Sequence, residues 1–187
     1  LAEFNGQGDQ RFLQFFQFYQ EFSELVLNRE YSSSTKLRYI KQYTEGDAKE
    51  VIKNYHNGDQ LDQAFRSLEE TYGRSEMVIR ECLNSLKRMD PIRSEYNCRV
   101  NKKFLQQIIT SISTLKCYNF VIDSSETECS TFLLTIEEKL PQETFLKWED
   151  EKSIMKKRSE KITVEGFIKF FTEKVRKEEN ALYVRQT

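Results

Sequence analysis

Apolar side chains recur at steps of three and four along nearly the whole chain, and that spacing restricts it to helices packed face to face. Phe12, Phe15, Phe16, Tyr19, Phe22 and Val26 stack on one face of a helix read over 9–28. Phe18 and Leu25 widen that face to about 200°, at 100° per residue. A surface helix needs a stripe of only about 100°. Before this helix, residues 1–10 show no helical period and read as an extended arm.

The same spacing continues between stop signals. Ser32, Ser33 and Ser34 offer N-caps for a helix with Leu37, Ile40 and Tyr43, which Gly46 is placed to end. Asp47 opens a third helix carrying Ala48, Val51, Ile52 and Tyr55, with Gly58 past its end. Asp59 opens a fourth with Leu61, Ala64, Phe65, Leu68 and Tyr72, closed by Gly73, and Ser75 caps a fifth that runs to Met89. Asp90-Pro91 interrupts the series, because the residue before proline is pushed out of the α region. A long helix then runs over 95–116, with Val100, Phe104, Ile108, Ile112 and Leu115 inward. Ser125-Glu126-Thr127-Glu128 is a capping box for the next, with Cys129, Phe132, Leu133, Ile136 and Leu140. Pro141 starts a helix with Phe145 and Trp148. Charged residues 149–161 read as a helix end and an exposed loop, and Thr163 caps a last helix with Val164, Phe167, Phe171 and Val175.

With two prolines and six glycines in 187 residues, few breakers oppose this reading. The predicted fold is all-α, about nine helices in two bundle lobes, 1–90 and 91–187. No fixed repeat period points to a solenoid. No apolar run approaches the ~20 residues that span a bilayer, so no membrane association is expected. A chain opening on Leu1 rather than Met reads as a fragment or processed product.

Charge names no partner. The net charge is −1, with 12 basic and 15 acidic residues up to Asp90 and 17 and 15 after it. Cys82, Cys98, Cys117 and Cys129 form no CxxC pair and read as reduced thiols of an intracellular protein. With His56 as the single histidine, no zinc-ligand spacing arises. Any Ser-His-Asp or Cys-His site would need His56, which sits at a predicted helix end where a solvated imidazole is the plainer reading. Gly6-Gln7-Gly8 precedes no strand–helix unit, so it does not read as a nucleotide loop. Adjacent carboxylates such as Glu69-Glu70 and Glu137-Glu138 splay about 100° apart on a helix and form no preset acid–base pair. No catalytic, cofactor or metal site is predicted. Lys156, Lys157, Arg158 and Lys161 form the one basic cluster, a candidate RNA contact or a solvated loop.

Four stretches, taken in order, resemble the Gag region of Bel/Pao-type long-terminal-repeat retrotransposons, and more distantly Ty3-type and retroviral capsids. Phe4-x-Gly6 precedes the helix bearing Phe15, Phe18 and Phe22; the family commonly has Trp at the first of those three. Lys36-Leu37-Arg38-Tyr39-Ile40 is followed by Glu45-Gly46-Asp47-Ala48-Lys49-Glu50-Val51-Ile52. Leu61-x-x-Ala64-x-x-x-Leu68-x-x-x-Tyr72-Gly73 comes third, and Leu140-Pro141 with Trp148 fourth. The resemblance covers 4–149. It implies a structural capsid protein with an N-terminal and a C-terminal lobe, self-assembling in the cytoplasm into virus-like particles around element RNA. The CCHC zinc knuckle usual downstream is missing, so RNA contact is expected to be indirect. A rival reading is a capsid-derived helical dimerisation or adaptor module of a host protein. Shells need apolar surface left over from the cores. Phe18 and Leu25 are the candidates for ring contacts, and Leu105, Ile109 and Ile112 for a two-fold dimer contact through the C-terminal lobe.

Overall fold

The computed structural model describes residues 1–94, 97–120, 122 and 126–186, and of 126–131, 185 and 186 the backbone alone. Nine α-helices and no strand occur among the described residues, so the all-α expectation holds. They are α1 (Arg11–Phe22), α2 (Ser33–Gln42), α3 (Gly46–Ile52), α4 (Leu61–Tyr72), α5 (Ser75–Lys87), α6 (Cys98–Cys117), α7 (Glu126–Glu137), α8 (Gln142–Lys157) and α9 (Val164–Gln186). The capping box at Ser125 and the Cys129 side chain lie outside the described residues. No helix among them is long and apolar enough to cross a membrane. The chain divides into two compact units, Leu1–Glu81 and Cys82–Thr187, so α5 carries residues of both.

In the N-terminal unit the helices start and stop where local chemistry allows. Ser32 caps α2, its hydroxyl accepting from Thr35 N at 3.2 Å. Gly46 does not end α2, which stops at Gln42; it is the first residue of α3 at φ +49°. That conformation favours glycine, and it turns the chain into α3 beside the carbonyl of Asn5. Asp47 therefore sits in the first turn, where a carboxylate complements the helix dipole. The cap before α4 is Asn57 rather than Asp59: Asn57 and Gln60 form a reciprocal capping box around the 3₁₀ turn Gly58–Gln60. Gly73 closes α4 as expected, its N–H on Glu69 O at 2.7 Å.

The start of α1 is capped from afar. Gln10 supplies no side-chain cap. The buried carboxylate of Glu81 instead accepts from Leu13 N at 2.8 Å. At its other end α1 passes into a π turn, Ser23–Leu27, where Asn28 N reaches back five residues to Ser23 O at 2.9 Å. The core holds Phe15, Phe18 and Phe22 of α1 against Ile40, Ile52, Leu68 and Tyr72. The arm joins it. Phe4 is buried and forms a lone parallel bridge with Thr44.

The C-terminal unit is centred on Trp148, fully buried, with Phe167 packed edge-on at 5.2 Å. The inner face of α6 departs from expectation by one residue at its start. Val100 is exposed, and Asn101 takes the inward place, donating its Nδ2 to Glu178 Oε2 at 2.9 Å. Glu178 also pairs with Lys174, so a polar cluster joins α6 to α9. The charged stretch from Glu149 is a helix end as far as Lys157, followed by exposed non-helical residues, as the sequence suggested. Two features hold it there: Met155 is buried, and Lys152 lies over the rings of Phe145 and Trp148 while pairing with Glu137 and Glu149. Ser159, at φ +58°, marks the turn after it. Thr163 caps α9, accepting from Gly166 N at 3.0 Å, and Val164, Phe167, Phe171 and Val175 are buried as predicted.

Candidate functional site

The surface residues singled out from sequence separate into two groups. Phe18 is buried, stacked on Phe4 at 5.7 Å between centroids and tilted on Phe22 at 5.6 Å. It is spent on the core and has no face left for a neighbour. Leu25 is 48% exposed. The π turn explains the difference: the wider turn keeps both Phe22 and Val26 inward and leaves Leu25 outside. In α6, Leu105 and Ile112 are buried, so they too serve the core, while Ile109 is half-buried. Leu25 and Ile109 are thus the two positions of the five that keep apolar surface.

Sequence reasoning missed other exposed apolar side chains. Tyr31 lies in the turn before α2 with its ring edge-on to Tyr39 at 5.6 Å. Leu134 on α7, Leu146 and Ile154 on α8, and Leu182, Tyr183 and Val184 at the end of α9 are also exposed. The last three carried a signal: three consecutive apolar residues span more of a helix than one buried stripe can cover.

Lys156 and Lys157 occupy the last turn of α8, Arg158 is its C-cap, and Lys161 lies three residues beyond, all exposed. Cations there oppose the partial negative end of the helix, which is a local structural reason for their position.

Among the described residues, the histidine and the thiols stand apart. His56 is exposed, and its backbone N–H donates to Gln60 Oε1 at 2.9 Å. Cys82, Cys98 and Cys117 are free thiols. Burial pushes the Cys82 thiol up, against a weaker opposing hydrogen bond to Ser111 O, and burial likewise raises Cys98. Neither is therefore poised as a thiolate. No cluster of His, Cys, Asp and Glu among the described residues could hold a metal ion. An apolar recess of about 230 Å³ in the C-terminal unit is lined by Leu86, Phe120, Ile122 and Phe132 with Lys87 at its rim. It is below the roughly 300–1,000 Å³ of ordinary small-molecule sites, whereas an open groove of about 620 Å³ lined by Leu105, Gln106, Thr172 and Val175 lies within that range.

Exposed apolar side chains stand on each of the two helical units. No curated protein and no solved structure matches the chain. A family model does, over residues 8–157, leaving the arm before Gly8 and helix α9 outside the match. The chain belongs to that family, described as a protein of unknown function (DUF1759), a domain found in retrotransposon Gag/Pol-like proteins.

Proposed function

We propose that this chain is the capsid region of a Gag polyprotein from a Bel/Pao-type long-terminal-repeat retrotransposon. In this reading it catalyses nothing. Copies of it associate in the cytoplasm into virus-like particles that enclose the element's RNA. The observation that carries the reading is the pairing of a Gag/Pol-type domain with two helical units, each leaving large apolar side chains outside a filled core. One self-complementary patch closes a dimer and stops there. Two patches, on separate units, extend contacts into a lattice. Leu25 supports the ring contact of the N-terminal unit and Ile109 the two-fold contact of the C-terminal one. RNA is held through a region downstream of this chain, and the cluster at Lys156 to Lys161 adds at most a salt-sensitive phosphate contact.

Negative-stain microscopy of the concentrated protein tests the reading. Closed hollow particles are the expected result. Discrete dimers at every concentration would replace it with the host adaptor module.

A further inference from the structure

The arm, residues 1–8, is bound to the N-terminal unit as a peptide is bound to a groove. Phe4 N–H donates to Tyr43 O at 2.9 Å, Glu45 N–H to Phe4 O at 2.9 Å, and Ala48 N–H to Asn5 O at 3.2 Å. These are main-chain bonds of the strand-addition kind, with side chains read alternately. Phe4 points in, 2% exposed, with its ring 5.1 Å from Tyr72 and edge-on to it. Asn5 points out. Gly6 is inward again, so close beneath Tyr72 that a Cβ there would stand 2.3 Å from the phenol oxygen. The groove thus reads an aromatic residue followed two positions later by glycine. The link to α1 is short and turns at Gly8, whose φ of +90° favours glycine and whose Cβ position is open.

We infer that the arm is exchangeable, and that the groove of one copy accepts the Phe4-x-Gly6 arm of a second. Every contact that holds the arm is available to the same segment arriving from another chain, which is the condition for a swap. A short flexible tether gives the arm an effective concentration of order millimolar at its own groove. Dilute copies therefore keep their arms, and copies crowded to that concentration trade them. The inference stands apart from shell formation, since exchange links two copies in a dimer as readily as in a lattice.

Two experiments on the whole chain test it. Deleting Gly8 and Asp9 removes about 7 Å of reach, so the arm no longer turns back onto its own groove. Light scattering is expected to give twice the mass of the native chain at the same dilution, and adding Phe4→Ala should return it to the native value. A shortened chain that keeps the native mass overturns the inference. In case the shortened chain fails to fold, the native-length chain is labelled with a donor at Glu3→Cys in one population and an acceptor at Lys49→Cys in another, both with Cys117→Ser and Cys129→Ser. After mixing near millimolar and diluting, energy transfer between chains should exceed that of the same pair carrying Phe4→Ala by several-fold. Equal transfer overturns the inference. Either failure leaves the capsid reading standing, because particle formation is read separately by microscopy.

Discussion

Gly6 is a position at which the N-terminal unit tolerates a side chain poorly. Its φ of +74° costs any other residue about 1–2 kcal/mol, and an added Cβ would also collide with the Tyr72 hydroxyl and reach 3.0 Å from Ala48 N. Gly6→Ala should therefore destabilise the unit by about 2–4 kcal/mol in urea unfolding followed by circular dichroism. Gly8→Ala should cost only the backbone strain, about 1 kcal/mol, since open space surrounds it. Equal losses at the two positions would show that Tyr72 does not press on the arm. The motif Phe4-x-Gly6 was visible in the sequence, but its reason was not. Phe4 meets Tyr43, Glu45 and Tyr72, tens of residues away, and no local spacing announces such partners. Glu81 is a similar case: nothing around it signals that it caps the start of α1.

At the level of elements, helix positions were legible wherever an apolar stripe met a stop signal, as in α4 with Gly73 and α9 with Thr163. Two features escaped. The π turn after Phe22 depends on packing and not on periodicity, so Phe18 and Leu25 could not be told apart. The partners that hold the charged stretch after Trp148 also escaped, because its charges find them only in three dimensions. Glu137 accepts from Trp148 Nε1 at 2.7 Å and from Lys152 Nζ at 3.1 Å, tying α7 to α8. Burial works to lower the Lys152 ammonium, but its hydrogen bonds to Glu149 and Glu137 overcome this and raise it. Removing one partner of a buried pair strands the other. Glu137→Ala leaves the buried Trp148 indole N–H without its acceptor while Lys152 keeps Glu149, and should cost the C-terminal unit about 1–3 kcal/mol. Glu137→Gln, which keeps an acceptor for the indole, should cost clearly less. Trp148 is the chain's single tryptophan, so its fluorescence follows this unit alone. Identical losses in the two variants would mean that the indole hydrogen bond contributes nothing.

For the molecule as a whole, alkali and crowding probe different surfaces. Burial raises the Tyr72 phenol, with Asp47 adding to the rise and Arg11 opposing it, and burial raises the thiols of Cys82 and Cys98. A group whose folded pKa is raised gives stability that is fully present below its unfolded value and is lost as pH rises through the folded one. Stability should hold from neutral pH to about 9, the ordinary thiol value, and fall beyond it, with Tyr72 adding its loss above 10. Urea midpoints that rise over that range would contradict the burial of these groups. In the capsid reading assembly would draw on what burial leaves over, and the sequence did not separate the buried Phe18 from the exposed Leu25. An aspartate at Leu25 or Ile109 places charge on surface that neither core needs in full. Far-UV helicity should persist in both variants, while the two differ in what they block. Leu25→Asp should stop growth at the dimer that Ile109 closes, and Ile109→Asp should leave only the rings of the N-terminal unit. The double variant should scatter as a single chain. If closed particles still form when both positions carry charge, the contacts run instead through Leu134, Leu146 and the end of α9.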